Sequence, residues 1–166
     1  MELIMMCGIP CAGKSTYLRR GTDNSDIFDE YVMLSTDNYI EEYARSVGKT
    51  YNEVFDDTIH EAAAKMFEQL DYAIQHEKSI LWDQTNLTRK SRRQKLKRIP
   101  DTYTKTIVVL PISLEEAIIR NSQRANKFIP RSVLTRMYHQ FEMPTEDEGF
   151  DAIMTHDGTH LKLQVA

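Results

Sequence analysis

The sequence predicts a single α/β domain, residues 1–166, in which a parallel sheet is covered by helices on both faces. Short apolar runs alternate with helical patterns along the chain, and this alternation is typical of parallel strands joined by crossover helices. A glycine-rich turn joins the first run to the first helix. Polar residues follow the second and third runs, and ligands collect at the carboxyl ends of strands in such sheets.

The first apolar run, residues 3–7, leads into GIPCAGKST at residues 8–16. This is the G-x-x-x-x-G-K-S pattern of a phosphate-binding loop (P-loop, Walker A) between a strand and a helix. Its glycines allow a tight turn whose N–H groups surround an anion at a helix N-terminus. Lys14 is expected to reach the β- and γ-phosphates of ATP, and Ser15 to ligate Mg²⁺. The predicted ATP-binding residues of this loop are Gly8, Cys11, Ala12, Gly13, Lys14, Ser15 and Thr16.

Composition limits the classes of partner. The net charge of −4 gives no global attraction to nucleic acid or to an anionic membrane, so such binding would need a local patch. The two cysteines, Cys7 and Cys11, have no zinc-site spacing and form no disulfide framework. The apolar run at the N-terminus is too short for a signal peptide or a membrane span. We therefore expect a cytoplasmic protein with no membrane partner.

Periodicity and capping signals place the elements. The predicted strands are residues 3–7, 31–35, 79–82, 106–110 and 152–155, and the predicted helices are residues 14–20, 38–47, 51–76, 88–99, 113–124 and 130–141. Asn38 and Glu41 have the spacing of a capping box, with Asn38 as the cap. Apolar residues recur at helical spacing through residues 51–76, which favours a core face over a cofactor pocket.

The C-terminal segment has the pattern of a hairpin. Asp157 and Gly158 give a tight-turn signal. Alternating apolar residues follow at Leu161, Leu163 and Val165. We therefore expect an antiparallel hairpin at one edge of the sheet.

Acidic residues follow two of the predicted strands. Asp37 follows the second strand, where a carboxylate can accept the proton of an acceptor hydroxyl. Aspartate also caps helices well, but the neighbouring P-loop favours the catalytic role. Asp83 follows the third strand in the position of a Walker-B acid that holds Mg²⁺, with a strand-end turn as the alternative. Thr85 and Asn86 beside it are expected to face either Mg²⁺ or the acceptor.

Two groups of basic residues have ambiguous roles. Residues 89–98 carry seven cations and no acid, a pattern that can track a phosphate backbone or serve solubility; nucleic-acid contact is slightly favoured. Arg120, Arg124 and Lys127 follow later, in a helix end and a break. Arginines on a mobile segment can close over ATP, although their spacing alone favours a solvated helix face.

Four segments together resemble the kinase domain of phage-type 5′-hydroxyl polynucleotide kinases, within the wider family of small P-loop kinases. They are residues 8–16, residues 37–39 (DNY), residues 83–87 (DQTNL) with Arg92 and Arg93, and residues 120–124 (RNSQR) leading to Ile129, Pro130, Met137 and Tyr138. The resemblance implies a P-loop NTPase three-layer sandwich with a parallel sheet in the order 2-3-1-4-5. It implies that Asp37 is the general base, and that Arg120 and Arg124 belong to a helical lid over ATP, residues 120–143. Lys14 joins them as a catalytic residue, with ATP and Mg²⁺ as cofactors.

The sequence departs from this family at Ile40. The best-known polynucleotide kinases have an arginine there that grips an acceptor phosphate, so the acceptor must be held differently or is not a nucleic-acid end. The predicted acceptor-binding residues are Thr85, Asn86, Arg92 and Arg93. The leading hypothesis is an ATP-dependent kinase for a 5′-OH end of DNA or RNA.

Two other hypotheses stay open. One is a kinase for a nucleoside, a sugar or a modified base such as hydroxymethyluracil in DNA. The other is a non-catalytic ATP-binding interaction module, because residues 83–86 with their trailing arginines are also similar to the ATPase-like module of U-type nuclear ribonucleoproteins. Asp37 argues against this last hypothesis, since ATP binding alone needs no base.

Overall fold

A computed structural model describes residues 1–24, 30–125, 127–156 and 161–164. The strands are β1 Glu2–Cys7, β2 Val32–Leu34, β3 Ile80–Trp82, β4 Thr104–Val109, β5 Ala152–His156 and β6 Leu161–Gln164. The helices are α1 Lys14–Asn24, α2 Thr36–Ser46, α3 Tyr51–Gln75, α4 Arg89–Leu96, α5 Leu114–Ser122 and α6 Arg131–Gln140, and a 3₁₀ turn spans Glu146–Glu148. None of the helices in these residues is long and apolar enough to cross a bilayer.

The sheet confirms the predicted topology. Its strand order is β2-β3-β1-β4-β5-β6. The first five strands pair in parallel, whereas β6 pairs antiparallel to β5. The predicted edge hairpin is therefore present as a strand pair, while its predicted turn at Asp157 and Gly158 lies outside the described residues. Since β1 is central, the P-loop leaves the middle of the sheet.

Both faces of the sheet are buried, as expected for a parallel sheet between helices. Along β1, Leu3 and Met5 pack on one face with Leu70 of α3. Met6 packs on the other face with Leu18 of α1. The helical stripe of α3 thus supplies core, as predicted. The result is a three-layer sandwich whose loops at the carboxyl ends of the strands are exposed for ligand binding.

The helix boundaries differ from the prediction by up to four residues, and two of these differences have a clear physical cause. The first helix continues through Gly21 to Asn24, because one glycine in a helix interior costs only about 1 kcal/mol and does not by itself end the helix. The second helix begins at Thr36, and its cap is Ser35, whose Oγ accepts a hydrogen bond from the Asn38 N–H at 3.3 Å. The prediction of Asn38 as the cap is wrong. Asp37 consequently lies in the first turn and has no capping role.

Candidate active site

A cavity of about 1830 Å³ opens at the carboxyl ends of the strands. We divide its lining into a donor side and an acceptor side. The donor side comprises the P-loop, of which residues 10–16 line the cavity, with Arg120 and Arg124. The acceptor side comprises Asp37, Tyr51, Phe55, Asp83, Gln84, Thr85, Asn86 and Lys95. The segment predicted to form a lid, residues 120–143, contributes Lys127, which contacts Asp37.

The P-loop backbone is shaped as an anion cradle. A side chain at Gly8 would place Cβ 2.8 Å from the Leu110 carbonyl oxygen, so only glycine fits this approach. Gly13 and Cys11 have φ values of 97° and 67°, which turn the chain back on itself. Because α1 begins at Lys14, the N–H groups of its first turn lack intrahelical acceptors and are available to phosphate oxygens.

Lys14 lies inside this cradle. Its ammonium donates to the carbonyl oxygens of Gly8 at 2.9 Å and Ile9 at 3.1 Å. Burial lowers the pKa of Lys14, and the charges of Asp83 and Asp37 oppose that shift. An ammonium has three N–H donors, so one remains for a phosphate oxygen. The predicted ATP-binding role of Lys14 is consistent with this position.

Asp37 is held by two side chains. Tyr51 Oη donates to Asp37 Oδ1 at 2.6 Å, and Lys127 Nζ donates to Oδ2 at 2.6 Å. Lys127 also donates to Glu41 Oε1 at 3.0 Å. Burial alone would raise the pKa of Asp37, but the charge and hydrogen bond of Lys127 and the hydrogen bond of Tyr51 outweigh it and lower the pKa. Asp37 is therefore ionised at neutral pH, as a general base must be.

Asp83 lines the same cavity as Lys14, and the charges of the two side chains interact. Burial raises the pKa of Asp83, and the positive charge of Lys14 counteracts this effect. Asp83 and Ser15 both line the cavity, and these oxygen ligands fit Mg²⁺, which also takes water and substrate phosphates as ligands. When bound, Mg²⁺ would neutralise phosphate charge during transfer. No group of three or more His, Cys, Asp or Glu side chains that could hold a metal occurs in the described residues.

The two lid arginines reach the P-loop. Arg120 Nη1 donates to the Cys11 carbonyl oxygen at 3.3 Å, and Arg124 Nη1 lies 3.8 Å from Cys11 Sγ. Arg120 is also exposed and pairs with Glu116 at 2.8 Å, so its helix face is both solvated, as spacing alone predicts, and in contact with the loop. Ala117 of α5 packs against Ile9, which fixes the helix beside the loop. Both cations are placed where the resemblance implies; their action on ATP remains a prediction.

Two predicted acceptor ligands, Arg92 and Arg93, lie outside the cavity lining. The Arg92 side chain is fully buried, and its guanidinium binds both carboxylate oxygens of Glu148 at 2.7 Å. Arg93 pairs with Asp147 at 2.8 Å. The prediction that these arginines bind the acceptor is therefore wrong. They attach α4 to the 3₁₀ turn.

Asn86 also has a structural role. It is 2% exposed, and its Nδ2 donates to the Met6 carbonyl oxygen at 2.7 Å. Its Oδ1 accepts from Lys95. Both ends of the amide are thus used within the protein, and the prediction of Asn86 as an acceptor ligand is wrong. Thr85 lines the cavity, so its role at the acceptor remains a prediction.

The sequence interpretation missed Tyr51, Gln84, Lys95 and the contact of Lys127 with Asp37. Lys95 is the fourth residue after Ser91, and both line the cavity, since residues four apart share a helix face. The sequence shows that periodicity, but it does not show which face of α4 points toward the cavity. Ile40, which occupies the position of the family's arginine, is fully buried in a cluster with Ala44 and Val54. That position therefore supplies no acceptor contact.

The chain is similar to known proteins over most of its length. The profile of a family described as AAA domain matches residues 3–144. The L-seryl-tRNA(Sec) kinase of Methanococcus maripaludis is 24% identical over 151 residues, which cover 90% of this chain and 56% of the relative. The chain thus spans about half the length of that curated relative.

Solved structures share the fold. A candidate kinase from Chloroflexus aurantiacus j-10-fl superposes with a TM-score of 0.64 at 16% identity, covering 95% of this chain and 88% of the other. A gluconokinase from Sinorhizobium meliloti 1021 superposes with a TM-score of 0.55 at 18% identity, covering 93% of this chain and 82% of the other. At these identities the likeness concerns the fold alone.

Proposed function

The chain belongs to this AAA domain family of P-loop proteins, and we propose that it is an ATP-dependent kinase that phosphorylates a hydroxyl group of a small organic acceptor. The observation that carries this proposal is Asp37, an ionised carboxylate held by Lys127 and Tyr51 in the same cavity as the P-loop. A protein that only bound ATP would need no such base. The kinase names of the curated relative and of the gluconokinase support the same reaction class.

The residues divide the reaction between them. The P-loop N–H groups and Lys14 hold the ATP phosphates. The acceptor oxygen bonds to the γ-phosphorus as the bond from that phosphorus to the β–γ bridging oxygen breaks, and ADP leaves. The hydroxyl proton passes to Asp37. Arg120 and Arg124 neutralise the charge that develops on the transferred group.

The choice of acceptor follows from the charges near the cavity. The resemblance implies a DNA or RNA 5′ end, which requires basic residues free to bind phosphates. Arg89, Arg92 and Arg93 instead pair with Asp147 and Glu148. Acidic Glu41 and Asp56 line the acceptor side as well. These contacts favour the small acceptor over the polynucleotide end.

A radiolabelled phosphoryl-transfer screen tests the proposal. Purified protein is incubated with [γ-³²P]ATP, Mg²⁺ and separate panels of 5′-OH oligonucleotides, nucleosides, sugars and hydroxy acids. We expect label in a small acceptor, and no label with the Lys14→Ala variant. Label only in oligonucleotides would restore the polynucleotide acceptor. ATP binding without transfer to any panel member would support the non-catalytic module instead.

A further inference from the structure

Lys95 is a half-buried cation on the acceptor side of the cavity. It lies on α4, and its ammonium donates to Gln84 Oε1 at 2.7 Å and to Asn86 Oδ1. It also lies 5.3 Å from the centre of the Trp82 ring. Its contacts are thus two neutral amide oxygens and an aromatic face.

No carboxylate pairs with Lys95 in the part of the chain that the structure describes. The arginines of the same helix differ in this respect, since Arg89 and Arg93 bind Asp147 and Arg92 binds Glu148. A half-buried ammonium without a counter-charge loses part of its hydration, which disfavours its charged form. Burial lowers the pKa of Lys95 to about 8, so at pH 7 the ammonium still predominates.

Lys95 is joined to the catalytic region through one amide group. Gln84 Oε1 accepts from Lys95, while Gln84 Nε2 donates to Thr36 Oγ1 at 3.3 Å, and Thr36 directly precedes Asp37. Trp82 Nε1 fixes this amide by donating to Gln84 Oε1 at 3.1 Å. Lys95 and Asp37 thus line one cavity, and their two helices are linked there through Gln84 and Thr36.

We propose that Lys95 binds an anionic group of the acceptor through its third N–H. The acceptor is then a small hydroxy compound that carries a carboxylate or a phosphate monoester. This inference rests on the proposed kinase function, because that function makes the bound anion a phosphoryl acceptor. The anion supplies the counter-charge that the described residues do not. Lys95 acts on specificity and touches no reacting atom.

The first experiment measures binding without catalysis. Protein labelled with ¹³Cε-lysine is saturated with Mg²⁺ and a non-hydrolysable ATP analogue, so that the P-loop is filled and cannot take the probe. The probes are glycerate, glycerol 3-phosphate and glycerol, and the signal of Lys95 is assigned from its loss in Lys95→Arg. We expect glycerate or glycerol 3-phosphate to raise the pKa of Lys95, because an anion stabilises the ammonium. Glycerol should leave it unchanged.

The three probes distinguish the chemistry of the anion. A pKa rise with glycerate alone indicates a carboxylate, and a rise with glycerol 3-phosphate alone indicates a phosphate. If neither anion raises the pKa of Lys95 above its value with glycerol, the proposal is overturned. This readout requires no turnover, so a failure of the kinase assignment is seen separately, as binding of an anion with no transfer to any acceptor.

The second experiment compares acceptors in matched pairs. For an acceptor found in the screen, the KM of the anionic compound and of its uncharged alcohol is measured in Lys95→Met and in Lys90→Met, an exposed residue of the same helix. We expect Lys95→Met to raise the KM of the anionic compound about tenfold or more, the scale of a lost charged hydrogen bond. The KM of the alcohol should not change. Equal effects on both compounds would mean that Lys95 only positions Gln84 and Asn86.

Discussion

The donor and acceptor sides of the cavity are built in different ways. The donor side depends mainly on nine consecutive residues and presents backbone N–H groups, with one lysine inside the loop. The acceptor side brings together α2, α3, α4 and the residues after β3, and it presents side chains. Backbone geometry follows from local sequence, whereas side-chain orientation depends on what each helix packs against. A phosphate site is therefore easier to recognise in a sequence than the acceptor that shares its cavity.

The two faces of α4 show the same difference within one helix. Arg92 faces the 3₁₀ turn and is paired with Glu148 inside the protein. Lys95 faces the cavity, and within the described part of the chain it contacts two amide oxygens and an aromatic ring. Both residues belong to one basic run. The protein uses one charge for stability and leaves the other available to a ligand.

The largest effect is expected on the donor side. Lys14→Met should lower phosphoryl transfer by about three to five powers of ten, comparable with the loss of a charge-stabilising arginine in phosphoryl transfer. The methionine keeps the length of the side chain, so folding should be retained. Transfer and the ATP-dependent rise in melting temperature are measured together, with Lys97→Met, an exposed residue, as the control. Undiminished transfer would remove the P-loop from the active site.

The acceptor side should respond to Asp37→Asn by a decrease of about two to four powers of ten in kcat, the usual contribution of general-base catalysis. ATP affinity should hardly change. Because Ser35 is the cap of α2, the substitution removes no cap. The melting temperature should fall only slightly, by the contribution of the half-exposed pair with Lys127. Asp56→Asn, another carboxylate on the cavity wall, is the matched control. Full turnover in Asp37→Asn would place the base elsewhere.

Substitutions on the face of α4 that packs against the 3₁₀ turn should lower the stability of the protein and leave acceptor binding unchanged. Arg92→Ala leaves Glu148 buried without its partner, which should cost about 3 to 5 kcal/mol in the free energy of unfolding. Arg93→Ala breaks a half-exposed pair and should cost at most about 1 kcal/mol. Chemical denaturation measures both values. A raised acceptor KM in Arg92→Ala with unchanged stability would contradict the structural role of Arg92.

The smallest effect concerns pH. Lys127 lowers the pKa of Asp37, and kcat/KM should fall at acid pH as Asp37 becomes protonated. Lys127→Met removes the positive charge, so the pKa of Asp37 should rise and the acid limb should move to higher pH by up to about one unit. The plateau at higher pH is the reference within each profile. Lys127→Arg keeps the charge and should keep the limb in place.

The free energy of unfolding should also depend on pH through Asp37. The lowered pKa of Asp37 in the folded protein stabilises it above the pKa of an unfolded aspartate, and this contribution is lost as pH falls through the folded pKa. In Lys127→Met the loss should be smaller, because the folded and unfolded pKa values lie closer together. If the acid limb of the kcat/KM profile does not move in Lys127→Met, a group other than Asp37 controls that limb.

The sequence alone determined the fold class, the strand order through its family resemblance, and the P-loop. The P-loop is contiguous, and its glycines are required by the close approach at Gly8 and the turn at Gly13. The alternation of strands and helices was sufficient for the three-layer arrangement. Helix boundaries were less certain because capping residues compete. Ser35 and Asn38 both suit a cap, and the hydroxyl of Ser35 takes that role.

Only the tertiary structure decided which charges are free to act. Arg92 meets Glu148 across 56 residues of sequence, and Lys127 meets Asp37 across 90. No local pattern encodes such pairs, because they depend on how helices pack on the sheet. The same packing buries Ile40 and turns Lys95 toward the cavity. Local sequence thus specifies the backbone that binds phosphate, while burial and long-range pairing decide the electrostatics of the acceptor side.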